Sequence, residues 1–445
     1  MSGRAERHVD VLVVGAGPAG LTAAAHLAAA DAGTVEVLER EQHAGGVPRH
    51  CHHGGFGTPL TSGPRFTLRR IHQALDAGAV LRTGVTATAF TAPRTLDVTG
   101  PDGLERITAR AVLLATGARE RPRSARLVPG SRPAGIYTTG ELQQAVHLFG
   151  HPVGTRAVVV GAEEVAYAAI DTLRRAGVTV AAQITDAPAA QAPRLRAAAT
   201  RLHHLVPLLT GTTVTELTGH GRLSGVRVRR SDGATVHLPC DTVVFTGDFI
   251  PDHELARRGG LRLDPGTRGP QIDTEYRTTG HGVFAAGNLL HAVEPATYAA
   301  AEGRAAAAAV RRWLHHETLA PSEGPAIDVA PPLRWIAPNR LPSPHADEPA
   351  DGHFLLRLEP PVPAPAGALI EVTQDGRVLH REQLRRTASP GRSLRLSAHW
   401  TAHADPQGAE IRVALHGLRG LHGLHGLHGL HGLHARHGPG LRGLR

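Results

Sequence analysis

The sequence predicts an α/β protein made of two parallel, doubly wound three-layer domains, a small β-rich module and an unstructured tail. Three observations predict it. A strand-type run, Val11 to Val14, passes at once into Gly15-Ala16-Gly17-Pro18-Ala19-Gly20 and then an alanine-rich helix former, Leu21 to Ala30. The same order returns later as Arg156 to Val160, then Gly161-Ala162-Glu163-Glu164-Val165-Ala166, then a helix reaching Ala176. From about Pro321 the pattern changes to a proline-rich stretch, Ala330 to Pro349, and then to period-two segments.

In the first copy each glycine has a reason. Gly15 permits a tight turn, Gly17 lets backbone amides approach a diphosphate, and Gly20 lets helix and strand pack closely. The helix N-terminus faces that diphosphate with its positive dipole end. A second apolar run, Thr34 to Leu38, ends on Glu39, near the offset of roughly 20 residues at which a Rossmann-type dinucleotide fold places a ribose-binding carboxylate. The stretch is not read as a signal sequence or membrane span, because glycines and a proline interrupt it and Asp10 precedes it.

Next comes a glycine-rich, basic loop, Ala44 to Gly57. Arg49, His50 and His53 are its candidates for substrate contact or proton transfer, the alternative being loop residues bonded to backbone. Adjacent residues such as His50, Cys51, His52 and His53 rarely converge on one ion, so no metal is expected, and Cys51 reads as an inert small residue. Gly63 to Ala77 reads as a helix with Phe66, Ile71 and Leu75 inward. Val85 to Phe90, Thr95 to Thr99 and Leu104 to Ala109 alternate like antiparallel strands. Ala111 to Thr116 reads as a separate buried strand, ending in Ala115-Thr116-Gly117.

The second glycine turn is a damaged copy. Gly161 remains and Ala166 suits the third position, but Glu163 brings a side chain and a charge to where a diphosphate would lie. The strand Val178 to Ile184 carries no acid at its tip for a ribose hydroxyl, with Asp186 just beyond. Thr213 to Leu217, Leu223 to Arg230 and Thr235 to Leu238 form a meander, and Asp241 to Thr246 another buried strand. Gly282 to Asn288 then leads into a helix opening at Pro295 and running through Arg304. Phe354 to Leu358, Ala368 to Thr373, Arg377 to His380, Leu394 to Ala398 and Glu410 to Leu415 make the small antiparallel β module. Gly417 to His434 is a Leu-His-Gly repeat without the apolar volume for a core. Its histidines either bind Zn or Ni weakly or are an expanded repeat.

Composition removes several classes of function. The formal charge is +9 from 48 basic and 39 acidic residues, without an arginine-rich stripe, and aromatics are 3%, so nucleic-acid binding is not expected. There is no lysine, which excludes a Schiff-base amine, a pyridoxal phosphate anchor and a phosphate-loop lysine. Two cysteines, Cys51 and Cys240, cannot build a disulfide framework, and a reduced, cytoplasmic compartment is the default.

Taken in this order, the two glycine turns, Glu39, Ala115 to Gly117 and Gly282 to Asn288 resemble the two-dinucleotide-fold flavoproteins of the pyridine nucleotide–disulfide oxidoreductase superfamily, over about Val9 to Val310. The segments Gly46 to Gly57, Ile136 to Gln143 and Thr246 to Leu255 resemble, more narrowly, a branch without the redox disulfide. That branch is similar to the FAD subunits of opine oxidases, hydroxyproline dehydrogenases and cyanide-forming glycine dehydrogenase. The resemblance implies FAD, with Gly15, Ala16, Gly17, Pro18, Ala19 and Gly20 at its diphosphate and Glu39 on the adenosine ribose. Arg40, Gly46, Val47, Val85, Thr116 and Gly117 lie near it, and Gly287 and Asn288 at its ribityl–phosphate end. Gly161 and Ala162 would serve NAD(P) if the second turn still takes it.

The domains expected are then 1–150 (FAD-binding, first part), 151–240 (degenerate NAD(P)-type), 241–320 (FAD-binding, second part), 321–415 (β module) and 416–445 (tail). Asn288 stands where most of the superfamily has Asp. Only Cys51 stands where the disulfide members need two cysteines, so dithiol exchange is not expected. The expected activity is hydride removal from the C–N bond of a small amino or imino acid, with electrons passed to an external acceptor or a partner subunit. The alternatives are an NAD(P)H-dependent flavoprotein reductase and a non-catalytic FAD-binding subunit of a multi-subunit dehydrogenase.

Overall fold

The computed structural model describes residues 5–292, 294–315, 324–342, 352–359 and 363–417. The Leu-His-Gly repeat lies outside these residues. The chain opens with strand Ala5–Val14 (β1), helix Pro18–Ala28 (α1) and strand Val35–Glu39 (β2), followed by helix Gly63–Asp76 (α2). Strands Val80–Thr83 (β3), Thr86–Ala92 (β4), Thr95–Gly100 (β5) and Gly103–Leu114 (β6) come next. Among the described residues these form a sheet in the order β3-β2-β1-β6-β5-β4, with Val283–Ala285 also pairing β6. β1 is an inner strand covered on both faces, so Val11, Leu12 and Val13 are all fully buried.

β6 is one strand where the sequence suggests two. Its first half pairs antiparallel with β5, Ile107 opposite Leu96, and its second half pairs parallel with Val283–Ala285, Leu114 opposite Ala285. The change of neighbour explains the change of pattern: alternation where one face is wet, continuous apolar residues where both are covered. In α2, Phe66 is buried as expected, but Leu75 is 46% exposed and Ala74 takes the inward place. In β2 the buried Glu36 is bound by Arg7 at 2.7 Å and Arg82 at 3.0 Å, and Glu105 shares both arginines. A carboxylate inside a sheet is tolerable only with such pairing.

Ala118–Glu120 (β7) leads out of this sheet to Ile136–Thr138 (β8), Thr139–His147 (α3), Arg156–Val160 (β9), Glu164–Arg175 (α4), Thr179–Ile184 (β10), Arg194–His203 (α5) and Leu208–Leu209 (β11). The meander follows as Thr212–His220 (β12), Arg222–Arg230 (β13) and Thr235–Pro239 (β14). Thr242–Phe245 (β15) and Phe249–Pro251 (β16) end this part of the chain. The second sheet, β11-β10-β9-β15-β8, is parallel throughout. β8, α3 and β15 therefore belong to the second unit, which reaches outside the expected 151–240 at both ends. β8 is too short to signal itself, and an apolar run like β15 does not announce which sheet it joins. β7 and β16 pair antiparallel, Glu120 opposite Phe249 and Ala118 opposite Pro251, so the chain leaves and re-enters the first unit side by side.

After Glu254–Arg258 (α6), Val283–Ala285 (β17) closes the first sheet and Ala296–His315 (α7) packs along α1. The two helices cross so closely that a Cβ at Gly303 would lie 2.1 Å from the Ala19 carbonyl oxygen. The C-terminal module comprises Ile327–Val329 (β18), Leu333–Ala337 (β19), His353–Leu358 (β20), Leu369–Gln374 (β21), Arg377–Gln383 (β22), Leu394–Ser397 (β23) and Ile411–His416 (β24). Its two sheets, β18-β24-β21-β22 and β19-β20-β23, bury Phe354, Ile370, Trp400 and Val413 in one core. β19 lies within the proline-rich stretch from which the sequence predicts no strand, and β18 pairs β24 in parallel rather than antiparallel. Among the described residues no helix is long and apolar enough to cross a membrane.

Gly303→Ala must push α1 and α7 apart. Overpacking of this kind costs about 1–3 kcal/mol, against a helix-propensity gain of at most about 1 kcal/mol. The variant is expected to unfold at lower urea concentration, and an unchanged or raised midpoint would refute the close crossing.

Candidate active site

The first glycine turn is built on close backbone contacts. The Gly15 N–H donates to Leu38 O at 2.8 Å, and its φ of 108° is one that L side chains rarely adopt. A Cβ at Gly15 would lie 2.4 Å from Ala115 O, and one at Gly20 1.9 Å from Gly15 O, whereas one at Gly17 would meet nothing within 4 Å. No side chain caps α1 and no acid sits in its first turn. With Gly17 opening on free space before it, this uncapped N-terminus is an arrangement suited to an anion. Ala16, Pro18 and Ala19 carry the chain through this turn. The Gly45 N–H donates to Ala16 O at 2.8 Å, and a Cβ at Gly46 would lie 3.0 Å from the Gly17 Cα. The basic loop, entered through the buried Ala44, thus passes directly over the turn.

Glu39 is buried too. Its carboxylate accepts from the Ala16 N–H at 3.1 Å and the Glu41 N–H at 2.9 Å, and burial pushes its pKa up. Val85 is buried and donates its N–H to Glu39 O at 2.9 Å, while Val47 is exposed. Arg40, Thr116 and Gly117 meet on one residue that the sequence does not single out. Asp252 is 2.9 Å from the Arg40 guanidinium, accepts the Thr116 hydroxyl on its backbone oxygen at 2.8 Å and donates its N–H to Gly117 O at 2.8 Å. Gly287, at φ 76°, packs against Ala19 and donates its N–H to Glu302 at 3.1 Å. The Asn288 carboxamide does not point outward for a cofactor: it clasps the backbone of Glu294, donating at 2.9 Å and accepting at 3.0 Å.

The second turn repeats this backbone and fills the space. Gly161 N–H donates to Ile184 O at 2.8 Å, but a Cβ on Gly161 would meet the Thr246 hydroxyl at 1.9 Å and Glu163 Oε2 at 2.7 Å. Ala162 is fully buried and offers no face to a ligand. The Glu163 carboxyl bonds the Thr246 hydroxyl, which also lies 3.0 Å from Val160 O. Burial pushes the Glu163 pKa up, and hydrogen bonds from the Thr246 hydroxyl and from the Glu163 and Ala162 backbone act against that push. Its side chain occupies the space beside Gly161. Beside it Glu120 accepts the N–H of Gly140 at 2.8 Å and of Gly247 at 3.2 Å, and burial raises its pKa to about 7.

The loop after Gly46 links the two units. Arg49 is not free for a substrate, being paired with Glu41. His53 is held by its Nδ1 against Gly54 O at 2.8 Å, and burial lowers its pKa. His52 stacks on His147 of α3 with centroids 4.2 Å apart, and the Cys51 thiol lies 3.3 Å from the Gln143 carboxamide oxygen. Burial pushes that thiol up to about 12. His50 differs from its neighbours. It is 4% exposed, neither ring nitrogen has a protein partner, and burial, helped by Arg49 and His147, lowers its pKa to about 4. Among the described residues no three His, Cys, Asp or Glu side chains converge as a metal site.

Two doubly wound units, one with an open glycine turn at a helix N-terminus, are the architecture of a dinucleotide-binding protein. Residues 9–303 match the model of the pyridine nucleotide-disulphide oxidoreductases, and the chain belongs to that family. Thioredoxin reductase of Mycolicibacterium smegmatis is 31% identical over 312 residues, covering 68% of this chain and 96% of that protein. The A chain of the opine oxidase of Agrobacterium tumefaciens (strain Ach5) is 29% identical over 319 residues, covering 63% of this chain and 61% of that one. The solved structure of T. acidophilum thioredoxin reductase shares the fold with a TM-score of 0.59 at 23% identity, covering 69% of this chain and 98% of that one. The family's members bind FAD and NAD(P). The first turn fits FAD: bare amides at α1, an open face at Gly17 and a carboxylate at Glu39.

Gly17→Glu gives the first turn the acid of the second, and the variant is expected to purify folded but without flavin; retention of flavin would refute this turn as the FAD cradle. A second expectation concerns pH. The unfolded chain protonates His50 near pH 6.5 and the folded chain only near pH 4, so its contribution is complete above pH 6.5 and is lost as pH falls between these values. That loss runs at up to about 1.4 kcal/mol per pH unit for one proton. His147, also lowered to about 4, acts in the same sense. Urea midpoints at several pH values should show a flatter dependence in His50→Leu, and an identical slope would contradict the assignment.

Proposed function

We propose that this chain is an FAD-dependent dehydrogenase or oxidase that removes a hydride from the C–N bond of a small amino or imino acid. The electrons then pass to an acceptor outside the chain, either a small molecule or a partner protein. The observation that carries the reading is the contrast between the turns: Gly17 opens on free space, while Glu163 fills the place where a nicotinamide nucleotide's diphosphate would lie. The electron donor is then an organic substrate rather than NAD(P)H. The amino- or imino-acid class is supported by the likeness to the opine oxidase A chain.

A dithiol–disulfide route is disfavoured by the cysteines. The sequence has two, Cys51 and Cys240, both buried, with thiols pushed up to about 12 and about 11. A thiolate is the reactive form, so neither is suited to exchange.

Bound FAD would supply the hydride acceptor. The chain's own part is orientation. Hydride loss beside nitrogen needs the nitrogen lone pair, so a substrate ammonium must first give up a proton. His50, neutral and unpartnered among the described residues, is the group proposed to accept a hydrogen bond from the substrate nitrogen at a ring nitrogen; with its pKa lowered to about 4 it orients the nitrogen while the proton itself passes to solvent. Arg49 and His53, paired within the loop, hold its shape.

An anaerobic titration tests the reading. The flavin band of the purified protein is expected to bleach with a small amino or imino acid and to persist with NADH or NADPH. His50→Leu should keep its flavin, and its reduction should slow by about tenfold or more, the loss of one hydrogen bond to the reacting nitrogen. Bleaching by a nicotinamide nucleotide alone would overturn the proposal.

A further inference from the structure

The β module meets the first unit through polar groups at buried positions, and burial of such groups is costly unless each is paired. The carboxylate of Glu294 accepts from the Arg357 guanidinium of β20 at 2.5 Å and from the Ser393 hydroxyl. Arg357 is 7% exposed, lies over the Trp335 ring at 5.6 Å from its centroid and donates to Pro390 O at 3.2 Å. The backbone of the same Glu294 is what the Asn288 carboxamide clasps. A continuous line of bonds thus runs from β20 to Asn288.

A second line runs beside it. One oxygen of Glu302 accepts the Gly287 N–H at 3.1 Å, and the other lies 2.8 Å from His291 Nε2. His291 is buried and stacks on Trp335 of β19, with centroids 5.7 Å apart and planes within 15°. Trp335 therefore carries both lines, touching His291 of one and Arg357 of the other. Both end on adjacent residues, at the point where β17 gives way beside Ala19 of α1.

We propose that the C-terminal module positions the flavin cradle: Arg357 and Trp335, acting through Glu294 and Glu302, fix the backbone of Gly287 and Asn288 that closes the cradle beside α1. The proposal rests on the reading of that cradle as the FAD site. Arg357 is a positioning residue, since it reaches the cradle only through other side chains, Glu294 and Trp335. A segment ordered in advance does not have to be ordered when FAD binds, so its loss appears as weaker binding.

The test is titration of the full-length apoprotein with FAD, read by flavin fluorescence and by the visible circular dichroism of bound flavin. Arg357→Met is expected to weaken FAD binding by about tenfold or more and to alter the dichroism, and Arg357→Lys to restore part of both. Arg395→Met is the control. It removes a contact with Tyr298, which packs beside Trp335 at the same interface but hydrogen-bonds to neither Glu294 nor Glu302, so it should lower thermal stability while leaving FAD affinity within about twofold. Should Arg357→Met fail to fold, Arg357→Lys decides, because it keeps a cation for Glu294 while losing the guanidinium that also reaches Pro390 and Trp335: weaker FAD binding supports the proposal and wild-type binding overturns it. Wild-type affinity in Arg357→Met, or an equal loss in Arg395→Met, would also overturn it. Wild-type apoprotein that takes up no FAD would instead refute the cradle reading.

Discussion

Backbone meeting backbone at the first glycine turn is the constraint on which the rest depends. Three approaches converge there: Gly15 on Ala115, Gly20 on Gly15, and Gly303 on Ala19, each too close for a Cβ. They bring β6, β1 and α7 against one short stretch of chain. With no side chains intervening, the first amides of α1 are left bare, and an anion can come to the main chain itself. Glu39 stands to one side as a fixed acceptor, held by two amides of its own.

The second unit keeps the architecture and changes the chemistry. Glu120 takes the Gly140 and Gly247 amides, so the protein's own carboxylate occupies donors at the end of the second sheet. Arg126 bonds the Thr246 and Gly247 carbonyls at 2.9 and 2.6 Å and lies against Phe245. The donors and acceptors at this end of the second sheet are thus satisfied from within the protein.

Local grammar made the fold legible. The glycine spacing, the carboxylate at Glu39, the Ala-Thr-Gly strand end and the period-two C-terminal segments all lie within a few residues of what they determine. Long-range pairing was not legible in the same way. Asp252 gathers Arg40 and Thr116 across more than a hundred residues, and the Arg357–Glu294 pair joins segments 63 apart, so no spacing announces either. At the candidate site, the loop with Arg49, His50 and His53 could be named from composition. Which of the three is left unpartnered depended on Glu41 and Gly54 taking the other two. The inward place of Ala74 over Leu75 shows the same limit at one helix, where the stripe is set by what packs against it.

The paired strands β7 and β16 make the second unit a nested insertion, because its entrance and exit lie in one short ladder. Every strand of the first sheet is contributed by chain on either side of that ladder. The inner unit could thus be exchanged or shortened in evolution by splicing at two neighbouring points, with the outer sheet's hydrogen bonding untouched. Such an arrangement lets one half of the molecule drift in chemistry while the other stays held to its cofactor.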